Sequence, residues 1–268
     1  MFRRLALYQR IKVSIVYDCY WHLADRRVIN KRNAEVEFYR RLLKGFRKGD
    51  LVFDVGANHG QKTDVFLRIG ADVVAIEPDE TNQEVLKQKF HRYRFVKKPV
   101  RIVSQAVSGR RSKQTMWIDK PGSAKNTLSP KWVETLRTDP LRFGTSVDFP
   151  TKQTVEAITL DDLFAKHGVP FFVKIDVEGH ELDVLRGLHH PVPYLSFEVN
   201  LPEFMPEGLQ CVGLLGGITQ GGKFNYAVDC ERGLVLDKWL GEREFLNTFT
   251  LCSESSVEVF WKTDISNT

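Results

Sequence analysis

Residues 51–60 read Leu-Val-Phe-Asp-Val-Gly-Ala-Asn-His-Gly, and this stretch decides the fold of the chain. Its first five residues are mostly apolar, which is typical of a strand buried in a parallel sheet. The strand runs into Gly56 and Gly60, and the pattern then predicts a helix over 61–69 that ends at Gly70. A buried strand, a glycine turn and a helix in this order begin a βαβ unit.

The same alternation continues outward from this stretch. Further strands are predicted at 73–76, 100–107, 171–176, 194–199, 226–228 and 257–261, and further helices at 33–46, 80–90, 179–188 and directly after Thr159. Strands that alternate with helices predict a parallel sheet with helices on both faces. We therefore expect an α/β fold with a doubly wound, mostly parallel, seven-stranded sheet.

Charge and pattern divide the chain into two predicted parts. Residues 1–49 contain 13 basic and four acidic residues, a net charge of +9, whereas residues 50–268 carry −4. Apolar residues at Leu5, Tyr8, Ile11, Ile15 and Cys19 have helical spacing. We predict a basic helical extension over 1–49 and one domain over 50–268, with an insertion at about 108–151. The extension is expected to pack against the domain or a second subunit, as in a homodimer, and to contact an anionic membrane surface only weakly.

Composition excludes several classes of protein. Hydrophobic residues make up 42% and charged residues 27% of the chain, unlike a disordered or collagen-like sequence. No run of about 18 uncharged apolar residues occurs, and Arg10 and Lys12 interrupt the apolar start, so neither a membrane span nor a signal peptide is expected. The four cysteines lie far apart, which argues against zinc and disulfides. We expect a cytoplasmic protein.

The glycine turn predicts a nucleoside site. Its pattern, Gly56-x-x-x-Gly60, is shorter than the G-x-G-x-x-G turn that holds a pyrophosphate and lacks the middle glycine. Glu77 ends the next strand 21 residues after Gly56, where a carboxylate accepts hydrogen bonds from ribose hydroxyls. A nucleoside without a pyrophosphate fits this pattern best, and a dinucleotide-dependent oxidoreductase fits it less well.

Four motifs carry a resemblance to a known family. They are residues 52–61, the Ala-Ile-Glu-Pro at 75–78, the Leu-Asp-Asp-Leu at 160–163, and the Lys-Ile-Asp-Val-Glu-Gly-His-Glu at 174–181 with Val-Leu-Arg-Gly at 184–187. With these motifs the chain resembles the FkbM-type, S-adenosylmethionine-dependent methyltransferases of class I. The resemblance covers about residues 51–200 and implies a Rossmann-like fold and S-adenosylmethionine as cofactor.

The resemblance also implies which residues hold that cofactor. The methionine part would be lined by Asp54, Gly56, Asn58 and Gly60. Glu77 would hold the ribose, and Gln105 with Ala106 would border the adenine.

Candidate catalytic residues follow the strand at 171–176. Asp176 ends that strand at the edge where open α/β sheets bind ligands, and Glu178 and His180 come directly after it. Methyl transfer requires an acceptor atom held in line and relieved of its proton, which these side chains can do. Three structural alternatives stay open: Glu178 as a helix cap, Asp176 as a residue that only orients the loop, and His180 as a solvated helical residue.

A metal-assisted variant would use Asp176 with Glu198 and Asn200, which end the neighbouring strand. Their oxygen atoms suit Mg²⁺, although substrate hydrogen bonding without a metal is favoured.

The predicted function is O-methylation of a sugar or other small-molecule hydroxyl, which makes the acceptor a small molecule or a glycan. The alternative from another functional class is a non-catalytic protein that binds the cofactor or serves in assembly. A basic stretch at 87–113 suggests nucleic acid, but it lacks an interleaved aromatic pattern beyond His91, Tyr93 and Phe95, so no nucleic-acid partner is favoured.

Overall fold

The computed structural model describes residues 26–91, 100–139 and 147–263. Its strands are β1 (Leu51–Val55), β2 (Asp72–Ile76), β3 (Arg101–Val103), β4 (Ala106–Val107), β5 (Ser112–Ile118), β6 (Thr151–Ile158), β7 (Phe172–Ile175), β8 (Tyr194–Asn200), β9 (Lys223–Ala227), β10 (Leu240–Gly241) and β11 (Ser256–Lys262). Its helices are α1 (Arg26–Leu42), α2 (Gln61–Ile69), α3 (Glu80–Lys89), α4 (Pro130–Thr138), α5 (Leu160–His167), α6 (Glu181–Leu185), α7 (Met205–Ile218) and α8 (Glu242–Phe249).

The main sheet has the order β10-β9-β11-β8-β7-β1-β2-β3. Strands β3, β2, β1, β7 and β8 run parallel, whereas β9, β10 and β11 add antiparallel pairs at one side. This confirms the doubly wound, mostly parallel fold. Each of the seven predicted strands contributes to this sheet, the one predicted at 100–107 only through Arg101–Val103, and the two-residue β10 is an eighth strand.

Strand β1 lies at the centre, between β2 and β7. Val52 pairs with Val73 on one side and with Phe172 on the other, so the chain order reverses at β1. Open α/β sheets bind ligands at such a reversal, beyond the carboxyl ends of the strands. The loops after β1, β2 and β7 therefore meet at one edge.

The single strand predicted at 100–107 is wrong. The chain leaves the main sheet after Val103, whose carbonyl still accepts from the Glu77 N–H over 3.0 Å. After Ser104 and Gln105 it enters a second sheet of order β4-β6-β5. The polar pair Ser104-Gln105 marks the crossing between the two sheets.

The region predicted as an insertion contains β5 and α4 and reaches the first residue of β6. Helix α4 begins with a Ser129 side chain that accepts from the Trp132 N–H over 3.2 Å. The helix predicted after Thr159 is confirmed as α5, where Thr159 and Asp162 form a capping box.

Helix α1 packs on the sheet through Tyr39, which is fully buried and lies edge-on to Phe66, with ring centroids 5.1 Å apart. The helix predicted at 33–46 is thus present with an earlier start and an earlier end. The pattern at residues 5–19, including Cys19, lies outside the described residues, and the division at residue 49 stays a prediction.

Cys211, Cys230 and Cys252 are free thiols. Within the described ranges, none of the helices has the length and apolar character needed to span a membrane.

Candidate functional site

A cavity of about 310 Å³ opens at the carboxyl ends of β1, β2 and β7. A volume of this order suits a small organic ligand. Eight residues singled out from the sequence line it: Asp54, Gly56, Asn58, Glu77, Ala106, Asp176, Glu178 and His180. The structure therefore brings the predicted nucleoside-binding residues and the predicted catalytic residues into one site.

Gly56 fixes the relation between the first loop and the loop after β7. Its φ of 83° lies in the region that favours glycine, and a Cβ there would lie 1.8 Å from the carbonyl oxygen of Asp176. The N–H groups of Gly56 and Ala57 both donate to the Ile76 carbonyl over 3.0 Å. A side chain at position 56 would push the Asp176 loop away from the cavity.

The Glu77 carboxylate, which follows β2, is hydrogen-bonded to the loop that follows β1. It accepts from the Asn58 N–H over 2.7 Å and from the Asp79 N–H over 2.9 Å. Burial raises the pKa of Glu77 to about 7, against the effect of these two hydrogen bonds. Each carboxyl oxygen keeps an accepting position for a ligand hydroxyl.

Asn82 is a cavity residue that the sequence pattern did not indicate. Its side chain is 2% exposed and donates to Glu77, while its Oδ1 has no hydrogen-bond partner among the described residues. A buried amide oxygen without a partner is costly. An Asn at the third position of a helix gives no sequence signal for this role, because such residues are common on solvated faces.

Two predicted cofactor residues do not line the cavity. Gly60 packs against α3, where a Cβ would lie 2.6 Å from Phe90 Cε2 and 2.7 Å from Leu86 Cδ2. The absence of a side chain at position 60 lets the start of α2 approach α3. Gln105 lies beyond the wall, and Ala106 and Val107 line it instead, because the chain turns toward the second sheet there.

A buried lysine controls the charge of Asp176. Lys174 is 3% exposed, and its Nζ donates to Asp176 Oδ2 over 2.7 Å. Burial opposes ionisation of Asp176, but the Lys174 charge and hydrogen bond outweigh it and lower the pKa of Asp176. Burial likewise opposes the charge on Lys174, yet Asp176, Glu258 and Asp54 raise the pKa of Lys174. The pair is therefore ionised at neutral pH.

Asp54 lies on the other side of Lys174 and is almost fully buried. Its Oδ2 accepts from Thr63 Oγ1 over 2.5 Å. Burial raises the pKa of Asp54, partly offset by the Lys174 charge. Asp54 thus helps to hold the start of α2 and the buried ammonium group together.

Three carboxyl groups, those of Asp176, Glu178 and Glu198, meet at this edge, with an oxygen of each within 4.8 Å of the others. Burial and the Asp176 charge raise the pKa of Glu198 to about 8, and Glu198 shares a hydrogen bond with Asp176. Burial, again with Asp176, raises the pKa of Glu178 well above its usual range. Because these three carboxyl groups lie so close together, the negative charge is on Asp176 and its neighbours Glu178 and Glu198 share protons.

The structure adds a carboxyl group to the residues of the metal-assisted variant. Glu178 joins Asp176 and Glu198, whereas Asn200 Nδ2 lies 3.5 Å from Glu198 Oε2 as a donor. The left-handed backbone of Glu178, with a φ of 55°, belongs to the turn that brings this residue beside Asp176. Strand ends alone did not predict this turn.

The loop around Glu178 is held by three polar contacts. Trp132 Nε1 donates to Glu178 Oε2 over 3.0 Å, and Thr127 Oγ1 donates to the Glu178 carbonyl over 2.7 Å. The buried Glu181 carboxylate accepts from the Val177 N–H over 2.9 Å. Glu181, rather than Glu178, therefore ties the loop to the start of α6.

His180 is buried, so a solvated helical histidine is the wrong interpretation. It is 8% exposed, its Nε2 lies 3.2 Å from Ser108 Oγ, and its Nδ1 lies 3.4 Å from Asp183 Oδ2. Burial lowers the pKa of His180, with Arg186 adding to the shift and Asp183 opposing it. The imidazole is neutral at pH 7.

A loop of the insertion forms the outer wall of the cavity. The Asp79 carboxylate accepts from the Gly122 N–H over 3.2 Å and from Asn126 Nδ2 over 2.7 Å. Because Thr127 bonds the Glu178 carbonyl, this loop joins the Glu77 side of the cavity to the carboxyl cluster. The insertion is therefore part of the site.

Distant structural likenesses are found among solved methyltransferases. A SAM-dependent methyltransferase from Agrobacterium tumefaciens is 9% identical, with a TM-score of 0.42, over 87% of this chain and 62% of that one. A SAM-dependent O-methyltransferase from Thermotoga maritima is 12% identical, also with a TM-score of 0.42, over 87% and 66%. Because both TM-scores are this low, we assign the fold from the strand order of the main sheet described above.

Sequence comparison is more specific. The chain is 26% identical over 181 residues to the hexuronic acid methyltransferase AglP of Haloferax volcanii, covering 67% of this chain. It spans 64% of the length of that relative. The model of the methyltransferase FkbM domain matches residues 54–204, more than half of the chain, including the glycine loop and the Asp176 loop. The chain therefore belongs to the FkbM methyltransferase family.

Proposed function

We propose that this chain transfers a methyl group from S-adenosylmethionine to an oxygen atom of a sugar. The observation that carries this proposal is the single cavity in which a ribose-binding carboxylate, Glu77, faces the same space as the carboxyl cluster of Asp176. Family membership supports methyl transfer, and the similarity to a hexuronic acid methyltransferase favours a sugar as acceptor.

The residues present fit the nucleoside part of the cofactor. Glu77 has accepting positions left after its two backbone hydrogen bonds. Next to it, the unpartnered Asn82 Oδ1 calls for a donor from the cavity. Ribose hydroxyls and an adenine amino group are donors of this kind. Glu77 and Asn82 would hold the nucleoside, with Ala106 and Val107 as apolar wall and the Gly56–Asn58 loop beside the amino-acid part.

When bound, S-adenosylmethionine supplies a sulfonium methyl group, and the carbon–sulfur bond breaks as the new carbon–oxygen bond forms. The chain must then orient the acceptor oxygen and take up its proton. Asp176 is ionised through Lys174, so it accepts a hydrogen bond from an acceptor hydroxyl. The proton passes to the carboxyl cluster and from there to solvent.

Glu198 and Glu178 are suited to different parts of this step. Glu198, with a pKa of about 8, holds a proton at neutral pH and becomes ionised just above it, where it can act as the general base. Burial and the Asp176 charge raise the pKa of Glu178, and the hydrogen bond from Trp132 Nε1 fixes its carboxyl group, so Glu178 is suited to orient the acceptor. The metal-assisted variant uses the same three carboxyl groups with Mg²⁺ and stays the less favoured form.

The test uses S-adenosylmethionine with a deuterated methyl group and a panel of neutral and acidic oligosaccharides. Mass spectrometry should find the label on a sugar oxygen, and Asp176→Asn should abolish transfer while S-adenosylhomocysteine still binds. Labelling of no acceptor by a protein that binds the cofactor would favour the non-catalytic alternative. Preferential binding of a nicotinamide dinucleotide would favour an oxidoreductase.

Three further predictions from the sequence belong to the proposal. A homodimer and a weak membrane contact of the basic residues 1–49 rest on charge and periodicity, and a cytoplasmic location rests on the hydropathy pattern of the sequence. Chromatography with light scattering on the full chain checks the dimer, and liposome flotation at physiological salt checks the membrane contact.

A further inference from the structure

A second groove lies beside the cavity, on the far side of His180. The side chains of Arg110, Lys113, Trp117, His180, Asp183 and Arg186 are among those that line it. His180 and Leu128 line both spaces. These two residues form a wall that the groove and the cavity share.

The groove is basic, although the domain over residues 50–268 has a net negative charge. Arg110, Lys113 and Arg186 face one acidic residue, Asp183, and His180 is neutral. Residues 50–268 together carry a net charge of −4, so the local excess of two positive charges is a property of this groove. Concentrated charge of one sign in a concave surface attracts ligands of the opposite sign.

Existing ion pairs satisfy only part of this charge. Arg186 Nη1 donates to Asp183 Oδ1 over 2.7 Å, which fixes the guanidinium at the inner end of the groove. Lys113 lies 3.9 Å from Glu156, and both side chains are largely exposed, so that pair is weak. Lys113 and Arg110 therefore keep most of their capacity to bind an anion.

Another pocket, beside Asp176 and Glu198, has the reverse charge. It is lined by six acidic residues, among them Glu35, Glu231 and Glu258, and by three lysines. An anionic acceptor would be repelled there and attracted to the groove beyond His180.

We infer that the groove between Arg110, Lys113 and Arg186 binds the negatively charged group of an acidic sugar acceptor. This inference rests on the proposed function and narrows its acceptor. Trp117 gives the groove an apolar surface for a sugar ring. The buried pair of Ser108 Oγ and His180 Nε2 offers polar contacts where the acceptor enters the site. A carboxylate, sulfate or phosphate group on the sugar satisfies the same cationic side chains.

The test measures binding to protein saturated with S-adenosylhomocysteine. The probes are a tetrasaccharide containing glucuronate, a sulfated and a phosphorylated counterpart, and a neutral glucose tetrasaccharide. Calorimetry should show that at least one anionic probe binds about ten-fold or more tighter than the neutral one, as expected for a charge-assisted hydrogen bond. The preference should shrink as salt rises, because exposed charges are screened.

A double variant, Arg110→Ala with Lys113→Ala, should remove most of that preference and raise KM for the anionic acceptor with little change in kcat. Arg186→Lys keeps the charge but alters the pair with Asp183 and should cause a smaller loss. The matched control is Lys87→Ala with Lys166→Ala, two exposed lysines elsewhere on the domain, which should change neither binding nor turnover.

Several outcomes would overturn the inference. They are equal affinity for neutral and anionic probes, an unchanged preference in the Arg110 and Lys113 variant, and tighter binding of a single-stranded RNA oligomer than of any sugar. A protein that methylates neutral sugars as well as anionic ones would refute this inference alone. A protein that does not bind S-adenosylhomocysteine would refute the proposed function itself. Melting temperatures of all variants confirm that a loss of binding is not a loss of folding.

Discussion

Gly56 and Asp176 lie so close together that a Cβ at position 56 would be 1.8 Å from the Asp176 carbonyl oxygen. Gly56 belongs to the loop after β1 and Asp176 to the loop after β7. The Asp176 N–H also donates to the Val55 carbonyl over 3.0 Å. The loop after β1, which lies on the nucleoside side of the cavity, therefore packs directly against the loop that carries the carboxyl cluster. A change in one loop displaces the other.

Replacement of Gly56 by alanine should damage both halves of the site. The added methyl group meets backbone and a φ of 83° strains any side chain, so we expect a loss of about 1–3 kcal/mol and a melting temperature lower by roughly 2–12 °C. Affinity for S-adenosylhomocysteine should fall in the same variant. The control is Gly213→Ala in α7, where a Cβ meets nothing within 4 Å; it should stabilise the protein slightly. Similar melting temperatures for both variants would contradict this account.

Replacement of Glu77 by alanine should weaken cofactor binding. Loss of a hydrogen-bonding carboxylate costs about 1.5–3 kcal/mol, or roughly ten- to a hundred-fold in affinity. Glu77→Gln, which keeps the size and one oxygen, should lose less. Glu84→Ala, at an exposed position on α3, is the control and should bind normally. Titration calorimetry measures the affinity of each variant for S-adenosylhomocysteine. An unchanged affinity in Glu77→Ala would show that Glu77 does not bind the cofactor.

Neutralising the carboxyl cluster should affect turnover more than cofactor binding. Asp176→Asn and Glu198→Gln remove the groups that orient the acceptor and take up its proton, a contribution of about 10²–10⁴ in rate. Glu178→Gln should have a smaller effect, because the amide oxygen of glutamine can still accept the hydrogen bond from Trp132 Nε1. The exposed Asp237→Asn is the control. Normal turnover in the Asp176 and Glu198 variants would show that these carboxyl groups neither orient the acceptor nor take up its proton.

The same variants separate the two forms of the mechanism. Activity that a chelator abolishes and Mg²⁺ restores would replace proton transfer to Glu198 by the metal-assisted variant. Activity that a chelator leaves unchanged would favour the metal-free form.

Stability of the unliganded protein should fall as the pH rises from about 4.5 to 8. Glu77 and Glu181 have a pKa of about 7 and Glu198 of about 8 in the folded protein, above the value of about 4.5 in an unfolded chain. The folded state therefore binds more protons in this window, and each tenfold difference in proton affinity between the two states corresponds to about 1.4 kcal/mol. Urea unfolding at several pH values should show the fall. Glu198→Gln should flatten it above pH 7, whereas stability that rises over this window would contradict the burial of these carboxyl groups.

Much of the fold could be predicted because its central strands are short apolar runs that end in glycine or a carboxylate. The strand at 51–55, the glycine turn and Glu77 follow directly from that pattern. The helix at 205–218 could not be predicted, since it contains Gly208, Gly213, Gly216 and Gly217 and lacks a polar face. Its helical state depends on packing against β8, where Gly208 lies against Val199.

The site was predictable wherever a residue ends a strand, and less so within turns. Asp176 and Glu198 meet because their strands are neighbours in a parallel pair. Glu178 joins them through a left-handed turn, and Lys174 and Asn82 act through burial, which a single sequence does not reveal. Gln105 does not line the cavity because the segment 100–107 is shared between two sheets.

The most direct test of the central claim follows the methyl group itself. Full-length protein is incubated with deuterated S-adenosylmethionine and the panel of oligosaccharides, and each product is fragmented in a mass spectrometer. We predict a deuterated methyl group on an oxygen of a sugar, formed together with S-adenosylhomocysteine in equal amount and lost in Asp176→Asn. Formation of S-adenosylhomocysteine without a labelled sugar, or transfer that persists undiminished in Asp176→Asn, would contradict the account.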